Sequence, residues 1–175
     1  MKKNNYVIYA IILFIVSAFI NVQAARAQSD FSGTWKLDTS ASEFGGIPAA
    51  QGAIRQLTIA QDKQKIKVEK LMVNPEGKEY SFSETLGFDG TVVENTVPYT
   101  SPRKISKAAS VKTTEDGKGL VLSSKYNVEE ENQSKWVFTT IELCSLSADG
   151  RTLTIAKTSI IPDRTVKIKA VYRKQ

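Results

Sequence analysis

The chain has no histidine and one cysteine among its 175 residues. Without histidine, the commonest general base, the commonest metal ligand and the side chain that titrates near neutral pH are all missing. A lone Cys144 cannot form an internal disulfide, so stability must come from burial and backbone pairing. The sequence also lacks a phosphate-binding P-loop, a G-x-G-x-x-G turn and a G-x-S-x-G elbow. Its Asp-Gly turns lack the acidic density of a calcium loop. Neither a metal nor a cofactor is expected, and a histidine-based hydrolase is excluded.

What is present starts with the N-terminus. Lys2 and Lys3 precede an uncharged run from Val7 to Ile20, and Ala25-Arg26-Ala27 gives an A-x-A cleavage pattern. A membrane-spanning helix needs roughly 20 apolar residues, more than this run supplies. Residues 1–27 therefore read as a cleavable signal peptide, and residues 28–175 as one exported domain, periplasmic or secreted. Cys144 is far from the cleavage site, so no lipid anchor is expected and the processed chain keeps no stable membrane span. Loss of Lys2, Lys3 and Arg26 lowers the net charge from +6 to +3. That mild, interleaved excess does not point to nucleic acid.

Beyond the leader, period-two alternation dominates and turn residues interrupt it at short intervals. Strands are expected at Phe31 to Asp38, Ala53 to Gln61 and Lys65 to Val73, then around Tyr80, Phe82 and Leu86. Further strands follow at Thr91 to Val97, Ser106 to Thr114, Gly119 to Val128, Trp136 to Leu146, Thr152 to Ser159 and Thr165 to Tyr172, the Ser106 strand being the weakest. Ile160 to Arg164 reads as a loop. Asp-Gly at 89–90, 116–117 and 149–150 signals hairpins, because both residues tolerate positive φ. Nine or ten strands with short connections favour an all-β, antiparallel up-and-down barrel of about 8–10 strands, whose closure removes exposed edges.

Phe31-Ser32-Gly33-Thr34-Trp35 opens the first strand. It resembles the lipocalin first-strand signature F-x-G-x-W, in which the glycine allows a tight bend at the barrel floor and the tryptophan plugs the closed end. With its leader and later Asp-Gly turns, the chain is similar to small exported lipocalin-like, calycin-type barrel proteins of bacteria. The resemblance implies a structural floor role for Gly33 and Trp35. It also implies a basic residue late in the chain over the tryptophan. Arg173 is the nearest candidate, although its parity groups it with outward-facing Lys167 and Lys169. In the resemblance, the segment Thr39 to Gln51 falls where a large loop covers the barrel mouth, with Ser40, Phe44 and Ile47 at the rim.

Two charges break the alternation. Lys70 shares a face with Ile66, Val68 and Met72, and Glu84 shares one with Tyr80, Phe82 and Leu86. If Met72 pairs with Tyr80, Lys70 lies opposite Phe82 and diagonal to Glu84, within reach of long side chains. Such a pair either orients the polar head of a ligand in a cavity or is a structural ion pair. Tyr80, Phe82, Tyr126, Trp136 and Phe138 likewise either line an apolar cavity or fill the core. Pairing Leu146 with Leu153 puts Cys144 opposite Ile155, in surroundings that suppress its thiolate, and Glu142 opposite Lys157.

The function expected is non-catalytic binding of a small, largely apolar ligand inside the barrel by Lys70, Tyr80, Phe82, Glu84, Tyr126, Trp136 and Phe138. The alternative is an envelope scaffold, protein-interaction module or inhibitor with a filled barrel. A cavity above about 300 Å³, the usual lower size of a ligand pocket, separates the two. Ligand identity and oligomeric state stay open.

Overall fold

The computed structural model describes residues 28–46, 54–73, 77–98 and 102–175. The expected signal peptide and Ile47 lie outside them. Ten strands account for most of the described chain: β1 Gly33–Leu37, β2 Gln56–Gln61, β3 Lys65–Val73, β4 Glu79–Gly87, β5 Val93–Val97, β6 Lys104–Thr113, β7 Gly119–Glu129, β8 Lys135–Leu146, β9 Thr152–Ile161 and β10 Arg164–Lys174. The only helix among the described residues is a 3₁₀ turn at Thr39–Ala41.

All ladders are antiparallel, in the order β4-β3-β2-β1-β10-β9-β8-β7-β6-β5. Strands consecutive in sequence are paired, β4 and β5 excepted, and β1 against β10 curls the meander into an up-and-down barrel. Alternation sets the faces. Along β3, Ile66, Val68 and Lys70 are buried while Lys65, Lys67 and Glu69 are exposed. The registers follow the parity of the sequence, with Met72 opposite Tyr80, Lys70 opposite Phe82, Cys144 opposite Ile155 and Glu142 opposite Lys157.

Four expectations need correction. Closure is incomplete, because β4 and β5 end the sheet and share no ladder. Asp89-Gly90 therefore turns the chain between unpaired strands and makes no hairpin, whereas the turns at 116–117 and 149–150 join paired ones. The loop expected from Ile160 to Arg164 shrinks to a two-residue turn at Pro162 and Asp163, since β9 runs to Ile161, which pairs with Arg164. Finally, the described part of the Thr39 to Gln51 segment lies along β10 instead of covering the mouth. Glu43 exchanges both backbone hydrogen bonds with Lys169 at 2.8 Å, and Val171 N–H donates to Ser42 Oγ at 2.9 Å. This strap buries Val171, which alternation places on the outside. Ser40 is exposed and donates to Asp38, and Phe44 is half-buried.

The core occupies one end of the barrel. Phe31, Trp35, Leu57, Ile66, Leu86, Leu120 and Leu153 are buried there. Trp35 Nε1 donates to the Phe31 carbonyl at 2.9 Å, which satisfies its one polar group. The basic residue over the indole is Lys174, whose Nζ lies 5.2 Å from the ring centroid. Arg173 points outward to Asp38 and Thr152, as its parity requires. Gly33 makes room for this arrangement. Its φ is +138°, and a Cβ there would stand 2.7 Å from Lys174 Cε.

Candidate functional site: a charged layer beneath an open cavity

Inward-facing positions of β3, β4, β6, β8 and β9 place five ionisable side chains at mid-barrel: Lys70, Glu84, Lys107, Glu142 and Lys157. Glu84 is the centre of the group. Its Oε1 accepts from Lys70 and its Oε2 accepts from Lys107 Nζ at 2.6 Å. Burial alone would raise the Glu84 carboxyl, but the two ammonium groups outweigh that and hold it below its ordinary value. The two lysines diverge. Burial works against charge on Lys70, and Glu84 overrides it to raise the group. Lys107 is held below its ordinary value, first by burial and then by Lys70.

The triad also bridges the open seam of the barrel. Glu84 is on β4 and Lys107 on β6, so their ion pair spans the place where β4 and β5 make no backbone ladder. Lys107 further lies 6.0 Å from the Phe82 ring centroid and 5.8 Å from that of Tyr126. Side-chain charge thus bridges a seam that hydrogen-bonded strands leave open.

Glu142 and Lys157 approach to 3.6 Å on the opposite wall. Burial pushes the Glu142 carboxyl up, but Lys157, Lys70 and Lys107 together bring it below its ordinary value. The layer therefore contains three lysines and two carboxylates, an excess of one positive charge facing inward.

Above the layer is a cavity of about 240 Å³. Its walls are largely apolar, including Met72, Ile155 and Ile168, and its polar side is formed by Lys70, Lys107, Glu142 and Lys157. Beneath the layer only about 30 Å³ is empty. Lys70 and Glu142 border both spaces, so the charges divide a filled half from an open one.

Of the residues expected to line a ligand site, Lys70, Phe82, Tyr126 and Phe138 border the cavity. Tyr126 and Phe138 are cross-strand neighbours with rings stacked at 4.3 Å and 2° between planes. Burial pushes the Tyr126 phenol up to about 12, so it stays a neutral hydroxyl. Glu84 is buried against the two lysines and does not border the space. Tyr80 is half-buried outside it, and Trp136 packs 5.5 Å from Phe138 with its indole N–H on Glu130. Lys107 and Lys157 were not in the expected set. Lys107 breaks an apolar alternation through Ile105, Ala109 and Val111 just as Lys70 does in β3, so the sequence carries the same signal in the weakest strand. Cys144 is buried, and burial pushes its thiol up, away from the thiolate a nucleophile needs.

The fold and site define a nearly closed antiparallel barrel with a charged layer between an apolar floor and a small cavity. No protein-family model matches the chain, and no curated protein matches it in sequence. Among solved structures it is similar to a zebrafish ileal bile acid-binding protein complexed with cholic acid, at 13% identity and a TM-score of 0.49. The match covers 84% of this chain and 100% of that one.

Proposed function

We propose that this chain is an exported, non-catalytic barrel that binds one small amphipathic molecule, its apolar body in the open half and its polar head against the charged layer. The carrying observation is the cavity itself: apolar walls over Lys70, Lys107, Lys157 and Glu142, with Glu84 held beneath them by two of the lysines. The net positive charge of that layer is costly to bury without a counter-charge, so an anionic head is favoured over a cationic one. At about 240 Å³ the cavity falls short of the roughly 300 Å³ that separates a carrier from a filled barrel, so its size counts against the carrier reading, which rests on the charged base and is confined to a small ligand. Export is supported by the charged, apolar and A-x-A succession before Gln28.

The filled floor favours a second reading, a barrel that serves as an interaction module and carries nothing. Native mass spectrometry of the chain from Gln28, together with displacement of the anionic apolar probe anilinonaphthalene sulfonate, separates the two. The carrier reading expects one probe per chain, with binding weakened by Ala170→Leu, which fills the cavity from β10. No retained molecule and no saturable probe binding would overturn it.

A further inference from the structure

Five large apolar side chains are exposed among the described residues, and four of them lie on the outer face of β8 and β9: Val137 (43%), Ile141 (49%), Leu143 (46%) and Ile160 (51%). Scattered surface leucines need no explanation, but a concentration on two adjacent strands does. Outward positions of these strands carry no charge from Val137 to Ser145 or from Thr152 to Ile160.

Cross-strand register shows what borders this face. One row across the sheet runs Lys169, Ala156, Leu143, Val121, Lys112. The next runs Lys167, Thr158, Ile141, Ser123. Beyond it, Ile160 is opposite Thr139, which is opposite Lys125. The Leu143 row thus has a lysine at each end, about 19 Å apart at four strand spacings, whereas the Ile141 row has one only on β10, Lys167, and the Ile160 row one only on β7, Lys125. Carboxylates are nearly missing here. Strands β6 to β10 hold only Glu129 and Glu142; the first pairs with Lys135 near the β7–β8 turn, and the second faces inward. Glu43 offsets Lys169 at 3.2 Å. Lys112, Lys125 and Lys167 form no ion pair among the described residues.

We infer that this outer face docks the barrel on an anionic phospholipid bilayer, with Ile141, Leu143 and Ile160 entering the interface and the flanking lysines meeting lipid phosphates. Charge complementarity selects this occupant. A second copy would set lysine rows against lysine rows. The barrel's convex outer surface cannot enclose a peptide, whereas a deformable bilayer closes around it. Apolar burial and lysine attraction to anionic lipid act together in such docking. The inference is independent of whether the interior carries a ligand.

The test is vesicle flotation of the chain from Gln28, which holds all ten strands and the core and omits the apolar run Val7 to Ile20. Vesicles of phosphatidylcholine alone are compared with three parts phosphatidylcholine to one part phosphatidylglycerol. The chain is expected to float with the mixed vesicles, weakly or not at all with the neutral ones, and to be released by added salt. Ile141→Asn with Leu143→Asn should abolish flotation while leaving the thermal transition in place. Lys125→Gln and Lys167→Gln should each weaken binding about fivefold. Equal flotation on both vesicle types, or unchanged flotation of either variant set, would overturn the inference. So would failure to float by a chain that instead dimerises or captures an acidic protein through this face.

Discussion

The two halves of this barrel are built on opposite principles. The floor is an apolar plug in which Trp35, Leu120 and Leu153 leave almost no space, and its one polar indole group is satisfied by a backbone carbonyl. The open half keeps a cavity and places ionic side chains at its base. Packing gives the floor its stability. In the open half, buried charges need one another, and removing Glu84 leaves Lys70 and Lys107 without their shared carboxylate. A small barrel can therefore leave one half hollow, because the other half and the ladders carry the fold.

The largest expected effect lies in the floor. Trp35→Ala should cost about 3–5 kcal/mol in denaturant unfolding, since the cavity it leaves is walled by rigid strands. Probe affinity of the folded fraction should not change. Loss of probe binding at temperatures where the variant is folded would show that the halves are not separable.

The charged layer comes next. Glu84→Gln leaves Lys70 and Lys107 facing each other without a carboxylate and should cost about 3 kcal/mol. Replacing all three, with Lys70→Met, Glu84→Leu and Lys107→Met, should restore stability to within about 1 kcal/mol of the parent. If the triple variant is as unstable as the single one, the bridge between β4 and β6 matters for more than charge balance. Acid titration gives the same information without replacing more residues. A carboxyl held below its ordinary value in the fold contributes stability that is complete above the unfolded value and lost as pH falls through the folded one. Parent stability should thus be flat just above pH 4.5, the ordinary glutamate value, and decline below it. Glu84→Gln should show a shallower decline.

Gly33→Ala is the smallest of the set, at about 1–3 kcal/mol, because φ of +138° strains any side chain and the new Cβ meets the Lys174 stem. Lys174→Ala in the same chain should recover part of that cost in a double-mutant comparison. Strict additivity would show that backbone strain alone accounts for the loss.

Much of this was legible in the sequence because alternation carries both secondary structure and facing. The registers through Lys70, Phe82 and Met72, and through Glu142 and Lys157, follow from turn positions and parity alone. Parity marks Lys70 and Glu84 as inward charges, and Lys107 in β6 as well, but not the contact between Lys107 and Glu84, which crosses a seam without a ladder. Nothing local marks a contact that depends on how the sheet curls. The same limit hid the unpaired β4 and β5, because Asp89-Gly90 has the chemistry of a hairpin turn without the pairing. At the C-terminus parity correctly turned Arg173 outward, and the residue over Trp35 is its inward neighbour Lys174.

The division into a filled floor and a receptive open half is tested most directly by an NMR titration of the chain from Gln28 with a short-chain carboxylate such as hexanoate. The account expects saturable shifts at Phe82, Tyr126, Phe138 and the Lys107 ammonium, with the Trp35 indole unmoved. Shifts confined to the outer face, or equal shifts at Trp35 and Phe138, would contradict it.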